Sequence, residues 1–297
     1  MRTRLGGWSL GFGFGLFLAL APSLVRADDA ANHYNMALQL KRDNQIPQAI
    51  AEVQKAIDLR KDYGAAYFTL GNLFRAQGEL PKATTALERA AELQPQDHLT
   101  HANLGAVYVR QKRYDDGIKQ LETASAIKPD DYETLSLLGV AYRQKGDLPK
   151  AIAVLQKATT IAPKDASAWN NLGVAKARTE DKEGAETAFK QALELDPNNA
   201  EYHRSLATTY RRQRKTPEAI ASYKAAIERD PKLADAYYDL GILYSQERKS
   251  DEALEAFRNY LKYSGTSDPG ARKDAEERVK SLESAGVAGK KKPAAKP

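Results

Sequence analysis

The sequence predicts an all-α protein of the α-solenoid class, built from tandem helical hairpins. Leu-Gly pairs recur in a register of 34 residues without insertion, from Leu70-Gly71 to Leu240-Gly241, with Leu206-Ala207 at the one step between them that lacks the glycine. Within each interval the apolar residues fall at helical spacing in two blocks, which are separated by a short turn such as Lys145-Gly146-Asp147. A fixed period of this length is typical of repeats that cannot bury their apolar face alone and stack to form a core.

Seven units follow from this period: 30–63, 64–97, 98–131, 132–165, 166–199, 200–233 and 234–267. We expect small residues at positions 8 and 20 of each unit to let its two helices approach closely, and large residues at positions 7, 11 and 24 to fill the space between units. Position 24 is large throughout: Val53, Leu87, Leu121, Leu155, Phe189, Tyr223 and Phe257. The position 8 glycines are therefore assigned a structural role: Gly71, Gly105, Gly139, Gly173 and Gly241.

Turn residues mark the ends of several helices. Asn44, Gly78 and Gly146 are suited to end a first helix because they tolerate a left-handed backbone. Prolines at the start of the following block favour the first turn of a second helix: Pro47, Pro81, Pro149 and Pro217. Residues 268–285 predict a polar capping helix at the end of the array, and residues 286–297 a disordered basic tail.

In these columns the chain resembles the tetratricopeptide-repeat (TPR) family over about 240 residues. The resemblance implies a right-handed superhelix of antiparallel hairpins over residues 28–285. It also implies that the first helix of each hairpin lines a concave groove, with positions 2, 5, 6, 9, 12 and 13 facing into it. Protein or peptide partners are expected to bind in that groove.

The resemblance places a mixed set of polar, aromatic and basic residues in the groove. An asparagine amide both donates and accepts hydrogen bonds, so it suits an extended peptide backbone that is bound without regard to side chains. The predicted partner-binding residues are Asn35, Phe68, Asn72, Asn103, Arg110, Arg143, Asn170, Asn171, Arg178, Arg204, Arg211 and Tyr238.

Positions 12 and 13 carry one or two cations in each of the first six units: Lys41, Arg42, Arg75, Arg110, Arg143, Arg178, Arg211 and Arg212. As a set they favour acidic partners, because arginine can bind a carboxylate through two hydrogen bonds. For any single residue the simpler explanation is that a cation near a helix C-terminus complements the helix dipole. The clamp for chaperone C-termini found in some family members needs a lysine at position 5, where only Arg204 is basic, so that partner class is excluded.

The net charge of +6 comes from the two ends of the chain. Residues 1–27 hold three arginines and no acid, and the last eight residues hold four lysines, which leaves 38 basic and 39 acidic side chains between them. A nearly neutral body argues against nucleic acid as a partner. The chain has no cysteine, so it cannot form a disulfide or a thiolate metal site.

The N-terminal residues are typical of a secretory signal. Arg2 and Arg4 precede an uncharged run from Leu5 to Val25, and small residues flank a cleavage site after Ala27. The sequence therefore predicts an exported protein, periplasmic or secreted. The alternative is an uncleaved anchor in the inner membrane, since a run of 21 residues is long enough to span a bilayer. Membrane contact is expected only in that case.

No catalytic pattern is present in the sequence. Of the four histidines, His33, His101 and His203 fall at position 4 of their units, where other units have tyrosine or tryptophan, so we interpret them as packing residues. His98 and His101 alone make a weak zinc pattern. No phosphate-binding loop or nucleophile motif is found. The sequence thus predicts a non-enzyme without cofactor or metal.

The function predicted from these observations is an exported, non-catalytic scaffold that holds peptide or protein partners in a groove. Assembly of a cell-envelope complex, such as a pilus, a secretin or cell-wall machinery, is expected from the signal segment and the family resemblance. Two alternatives remain open: a membrane-anchored adaptor, and a regulatory or substrate-presenting subunit of an enzyme complex.

Overall fold

The structure, a computed structural model, describes residues 21–266 and 268–290, and side chains within 29–266 and 268–285. These residues form fifteen α-helices and no strand, which confirms the all-α prediction. Residues 1–20 of the predicted signal segment and residues 291–297 of the predicted tail lie outside the described residues.

The helices divide into two compact units, the first ending at Ile127 and the second beginning at Lys128. The first unit contains three hairpins: α1 (Ala21–Arg42) with α2 (Ile46–Leu59), α3 (Gly64–Ala76) with α4 (Leu80–Leu93), and α5 (His98–Arg110) with α6 (Tyr114–Ile127). Within this unit each second helix also packs against the first helix of the next hairpin. Helix α1 begins at Ala21, so its backbone includes the predicted cleavage point after Ala27.

The second unit contains four hairpins and a final helix: α7 (Tyr132–Lys145) with α8 (Leu148–Ile161), α9 (Ala166–Arg178) with α10 (Lys182–Leu195), α11 (Ala200–Arg212) with α12 (Thr216–Arg229), α13 (Ala234–Gln246) with α14 (Ser250–Tyr263), and α15 (Pro269–Lys290). Each predicted repeat therefore corresponds to one hairpin, which confirms the seven repeats and the helix that follows them. Helix α15 continues to Lys290, five residues beyond the boundary expected at residue 285.

The contact between the two helices of a hairpin is closest at position 8. A Cβ atom added to Gly139 would lie 2.4 Å from Cγ of Leu155, a fully buried side chain. The same relation links Gly105 with Leu121, where the distance would be 2.6 Å. Position 24 therefore packs against position 8 of its own hairpin. The sequence predicted only that position 24 fills the space between neighbouring units. Glycine at position 8 leaves the room that this side chain occupies.

The turn between the helices has a left-handed residue at position 15 in every hairpin. Gly78, Gly146 and Asn44 have φ angles of 79°, 96° and 56°, as the turn pattern predicts. The other four hairpins place long, charged residues at the same position with φ between 59° and 62°: Lys112, Glu180, Arg214 and Arg248. The turn conformation is thus a property of the hairpin, and it does not depend on glycine or asparagine at this position.

Helix starts follow the expected capping chemistry. The predicted prolines lie in the first turn of α2, α4, α8 and α12. Asp97, Asp131 and Asp165 accept a backbone N–H three residues further on, so they cap α5, α7 and α9. Because these caps lie at the last position of the preceding repeat, they fix where each new hairpin begins.

Helix α15 closes the core of the second unit. Ala275 is fully buried in the same apolar cluster as Phe257 and Tyr260. The ring of Tyr260 lies 5.1 Å from that of Tyr238, and only 3% of the residue is exposed. Tyr260 occupies a position where the other repeats have alanine, so its larger side chain fills the space beside the last helix.

Candidate functional site

The predicted groove residues lie on the first helices of the hairpins, and we call this surface of each unit its first-helix face. In the first unit Asn35 and Arg110 are exposed, whereas Phe68, Asn72 and Asn103 are half-buried. In the second unit two are exposed and five are half-buried: Arg178 and Arg211, then Arg143, Asn170, Asn171, Arg204 and Tyr238. The two faces belong to separate units.

The asparagines do not behave as one ladder. Nδ2 of Asn103 donates to the carbonyl of Leu99 on its own helix at 2.8 Å, so one amide donor is already used. The Oδ1 atoms of Asn72 and Asn170 are buried and have no hydrogen-bond partner. These two residues, one in each unit, therefore have an unused acceptor, but the side chain must rotate to uncover it before a peptide backbone can bind there.

Most arginines of the first-helix faces have no acidic partner. Arg75 and Arg110 in the first unit, and Arg143, Arg178 and Arg212 in the second, form no ion pair with a described residue. On the second helices, by contrast, Arg89 pairs with Glu92 at 2.7 Å. Positive charge on the first-helix faces is therefore left uncompensated.

Two pairs of these arginines interact between successive repeats, Arg75 with Arg110 in the first unit and Arg143 with Arg178 in the second. Burial, and to a smaller extent the charge of Arg110, lowers the pKa of Arg75 below its ordinary value. Burial and the charge of Arg178 lower the pKa of Arg143 in the same way. The Nε atoms of Arg75 and Arg143 are also buried without a hydrogen-bond partner. An anion bound beside either pair would relieve this repulsion and supply an acceptor.

Two arginines of the second unit are anchored to the helix of the preceding repeat. Nη1 of Arg178 donates to the carbonyl of Arg143, and Nη1 of Arg212 donates to the carbonyl of Ala177, each at 2.9 Å. These carbonyls lie in the last turn of α7 and α9, where i+4 helical partners run out, although the carbonyl of Arg143 also accepts from the N–H of Gly146 at 3.2 Å. Each guanidinium has five N–H donors, so most remain available after this bond. These arginines can therefore both stabilise the C-terminus of the preceding helix and bind an acidic partner.

A cavity of about 160 Å³ opens between α9 and α11 at this point. Its walls combine cations, hydroxyls and apolar groups and include no acidic residue: Arg178, Arg204, Arg212, Ser205, Thr208, Thr209, Val174, Ala177 and Phe189. An acidic side chain of a partner, with its aliphatic stem against Val174 and Phe189, matches this chemistry.

Three of the predicted residues are engaged by neighbouring side chains. Arg204 pairs with Glu201 at 2.7 Å, and Arg211 lies 3.6 Å from Asp239, which also accepts from the hydroxyl of Tyr223 at 2.7 Å. The hydroxyl of Tyr238 donates to Asp274 of α15 at 2.8 Å. Burial and this carboxylate raise the pKa of Tyr238 to about 12. Tyr238 therefore joins α13 to the final helix.

Comparison with protein families agrees with this architecture. The family model of the cilia and flagella-associated protein 70 C-terminal domain matches residues 63–204, and three tetratricopeptide-repeat models match residues 188–221, 209–247 and 234–266. The chain belongs to the tetratricopeptide-repeat family. This TPR architecture is a protein-interaction fold, and its members are typically non-catalytic scaffolds. No curated protein matches the chain in sequence.

Solved TPR structures resemble the chain over much of its length. MamA from Desulfovibrio magneticus RS-1 is 25% identical, with a TM-score of 0.55 over 57% of this chain and 96% of its own. A tetratricopeptide-repeat protein from Parabacteroides merdae is 15% identical, with a TM-score of 0.67 over 86% of this chain and 99% of its own. YrrB, described as a TPR protein with an unusual peptide-binding site, is 22% identical, with a TM-score of 0.52 over 66% of this chain and 97% of its own. The two structures below 25% identity support the fold alone.

The position 4 residues of these TPR hairpins form polar links between repeats. Nε2 of His203 lies 3.0 Å from the carbonyl of Pro197, and Nε2 of His101 lies 3.1 Å from that of Pro95. Trp169 donates to the carbonyl of Pro163 at 2.9 Å in the same way. These histidines are structural, as predicted, but the packing interpretation missed their hydrogen bonds to the preceding repeat.

His33, in the first repeat, has a carboxylate partner. Its Nδ1 lies 2.5 Å from Oε2 of Glu52, which also accepts from Lys55 at 2.7 Å. The hydrogen bonds from Lys55 and then His33 lower the pKa of Glu52. Across the part of the chain with described side chains, no group of three or more histidine, aspartate or glutamate residues could hold a metal ion.

Sequence reasoning missed two features of the arginine cavity. The sequence assigned Phe189 of α10 to the core, yet it also lines the cavity. Gly173 of α9 has no side chain, so the Phe189 ring packs directly against its backbone there. Arg212 belonged to the predicted basic stripe, but its bond to Ala177 could not be read from composition. Both bonds span 35 residues, one more than the repeat. Arg110 has the same spacing from Arg75 without such a bond among the described residues, so no sequence signal identified these bonds.

Among the helices of the described residues, none is long and apolar enough to cross a bilayer.

Proposed function

We propose that this chain is an exported, non-catalytic scaffold whose first-helix faces bind extended, acidic segments of partner proteins. The observation that carries the proposal is a set of arginines that have no carboxylate partner among the described residues, with one repelling pair in each unit, Arg75 with Arg110 and Arg143 with Arg178. Arg212 is the fifth member of this set. Like charges at close range destabilise the free protein and are stabilised by a bound anion.

The anchoring of Arg178 and Arg212 supports a role in recognition. A guanidinium that is already held by a backbone carbonyl loses less conformational entropy when it binds a carboxylate. The cavity between α9 and α11 would take a glutamate or aspartate side chain of the partner. The unpartnered Oδ1 of Asn170, now buried, would accept a backbone N–H of the same segment once its side chain rotates toward the face.

Binding of synthetic peptides to the purified protein tests the acidic preference. Extended peptides that contain glutamate, and matched peptides with glutamine, are compared by fluorescence anisotropy. Charge-assisted hydrogen bonds predict that the glutamate peptide binds roughly tenfold or more tightly, with an affinity that falls as salt is added.

Matched variants then locate the binding. Arg178→Gln with Arg212→Gln should abolish the preference for glutamate, whereas Arg89→Gln with Arg113→Gln removes the same charge from ion-paired residues elsewhere and should preserve it. Equal preference in both double variants would contradict the proposal. The double variant Arg178→Lys, Arg212→Lys keeps the positive charge but lacks the planar guanidinium, so it shows whether the glutamate preference depends on paired hydrogen bonds or on charge alone.

Export is supported by the predicted signal segment alone. N-terminal sequencing of the protein purified from fractionated cells should give Asp28 as the first residue, in the periplasmic or secreted fraction. A start at Met1 in the membrane fraction would instead support the anchored adaptor.

Assembly of a cell-envelope complex is the broader role that we propose for this scaffold. Crosslinking in intact cells, followed by mass spectrometry of the captured proteins, should identify envelope components with acidic segments. Capture of the same proteins by the Arg178→Gln, Arg212→Gln variant would argue against binding through this face.

A further inference from the structure

A second groove lies on the opposite side of the hairpins, where α12 and α14 flank α13. Its volume is about 350 Å³. The floor consists of Tyr237, Leu240 and Tyr244 of α13, and the rim carries Glu228 of α12 with Glu252 and Glu255 of α14. We call it the acidic groove. Its rim is supplied by the second helices α12 and α14, and its floor by α13 residues other than the predicted groove residue Tyr238, so it is distinct from the first-helix face.

The rim charges of the acidic groove are only partly compensated within the described residues: Lys249, next to the groove, interacts electrostatically with Glu252, and its Nζ lies 6.0 Å from the centroid of the Tyr244 ring. Glu228, Glu252 and Glu255 form no ion pair there, and Lys224 is the one cation in the lining, with its Nζ 5.8 Å from the centroid of the Tyr244 ring. The lining therefore has a negative balance above an aromatic floor. A lysine side chain suits this surface, because its ammonium is attracted to carboxylates and to the faces of tyrosine rings while its stem covers apolar area.

We propose that the acidic groove binds the lysine-rich segment at residues 291–297 of this same chain. That segment carries Lys291, Lys292 and Lys296 and no acidic residue, so its charge is complementary to the rim. It follows α15, which packs against α14, the helix that supplies Glu252 and Glu255. The segment therefore begins near the groove, next to a helix that forms part of it.

The length of the segment is sufficient. Helix α15 has 22 residues and α14 has 14, so α15 is longer by about 12 Å at 1.5 Å per residue. Seven further residues span up to about 23 Å when extended. The end of the segment, which carries Lys296, can therefore return past the first turn of α14 and cross its width of about 10 Å to the acidic groove.

Zero-length carbodiimide crosslinking of the full-length protein, at low concentration and low salt, tests the proposal. Lysines of the segment should couple to Glu252 and Glu255 more than to Glu276 and Glu277 of α15, which are closer along the chain. The yield should fall roughly threefold or more when ionic strength is raised to about 0.5 M, because exposed charges are screened over short distances. Indiscriminate coupling to all four glutamates would overturn the proposal.

The double variant Glu252→Gln, Glu255→Gln lacks the two carboxylates that are proposed to bind the segment. Its readout is therefore the crosslink between a segment lysine and Glu228, the groove carboxylate that remains. That coupling should fall, whereas Glu276→Gln with Glu277→Gln should leave it unchanged. Both variants change exposed side chains, and thermal melts verify that each is folded.

Mixing of isotope-labelled and unlabelled protein separates two possible occupants of the acidic groove. Crosslinks within one isotope support the proposed contact within one chain. Crosslinks between isotopes would overturn it in favour of a second copy as the occupant.

Discussion

The interior of each hairpin and its first-helix face are built from the same helices but follow different rules. In the interior, positions 8 and 24 repeat because each contacts the other: Gly139 leaves room for Leu155, and Gly105 for Leu121. On the face, neighbouring repeats place unlike residues at one position, such as Leu137 and Asn171 at position 6. Positions that contact another repeated position are therefore constrained to repeat, whereas positions open to a partner are free to differ.

The sharpest test of this contrast uses two adjacent leucines of α7. Leu138 is 4% exposed and Leu137 is 39% exposed. Leu138→Ala should lower the free energy of unfolding by about 2–5 kcal/mol, because it removes buried contacts and leaves a cavity. Leu137→Ala should cost less than about 1 kcal/mol. Urea denaturation of both variants measures the difference, and similar losses would mean that the face is as constrained as the interior.

A smaller effect is expected at the glycine next to them. Gly139→Ala would bring a methyl group into contact with Leu155 and should cost about 1–3 kcal/mol by overpacking. Gly270→Ala is the control, because a Cβ atom added in the first turn of α15 would make only an ordinary contact, 3.4 Å from Oδ1 of Asp268, and alanine favours a helix by about 1 kcal/mol. The two changes should therefore shift the melting temperature in opposite directions. A stabilising Gly139→Ala would show that the helices can separate at no cost.

The turns show how far the sequence could predict the fold. Gly78, Gly146 and Asn44 identified three left-handed turns through their own conformational preference. Lys112 and Arg214 carry no such signal, yet they adopt the same backbone. Their conformation is imposed by the packing of two helices of fixed length, which is a tertiary effect. The period of 34 predicted it only indirectly, through the equal length of every hairpin.

Arg214 allows this tertiary effect to be measured. A non-glycine residue in the left-handed region costs roughly 1–2 kcal/mol, and glycine loses about 0.5–1 kcal/mol more backbone entropy on folding. Arg214→Gly should therefore stabilise the protein by up to about 1 kcal/mol, and Gly146→Ala should destabilise it by a similar amount. Chemical denaturation checks both signs. A destabilising Arg214→Gly would mean that the arginine side chain itself holds the turn.

The candidate site was less predictable than the fold. The position of Arg178 in the repeat indicated where its side chain lies, and family resemblance supplied the direction of the face. The bond to the carbonyl of Arg143 depends on the distance between consecutive helices, which residue type does not encode. The loss of Tyr238 and Arg204 to internal partners depends in the same way on Asp274 and Glu201. A repeat pattern thus predicts positions well and partners poorly.

The smallest expected effect is a change of stability with pH at His203, which links two repeats. Burial lowers the pKa of His203, whose Nε2 lies 3.0 Å from the carbonyl of Pro197. The unfolded imidazole, with a pKa near 6.5, binds a proton more readily than the folded one, so stability should be lost as pH falls below about 6.5 through the folded pKa. The loss should be under about 1 kcal/mol, because the side chain is half-buried.

His203→Trp separates the titration from the hydrogen bond. The indole of Trp169 occupies the equivalent position and donates to Pro163 at 2.9 Å without a titrating group. Denaturant unfolding of the wild type and of this variant between pH 5 and 7.5, within the range where histidine titrates, should give a shallower pH dependence for the variant. An unchanged slope would assign the acid sensitivity to other groups, such as the carboxylates of the face, and would place the pH response outside the repeated interior.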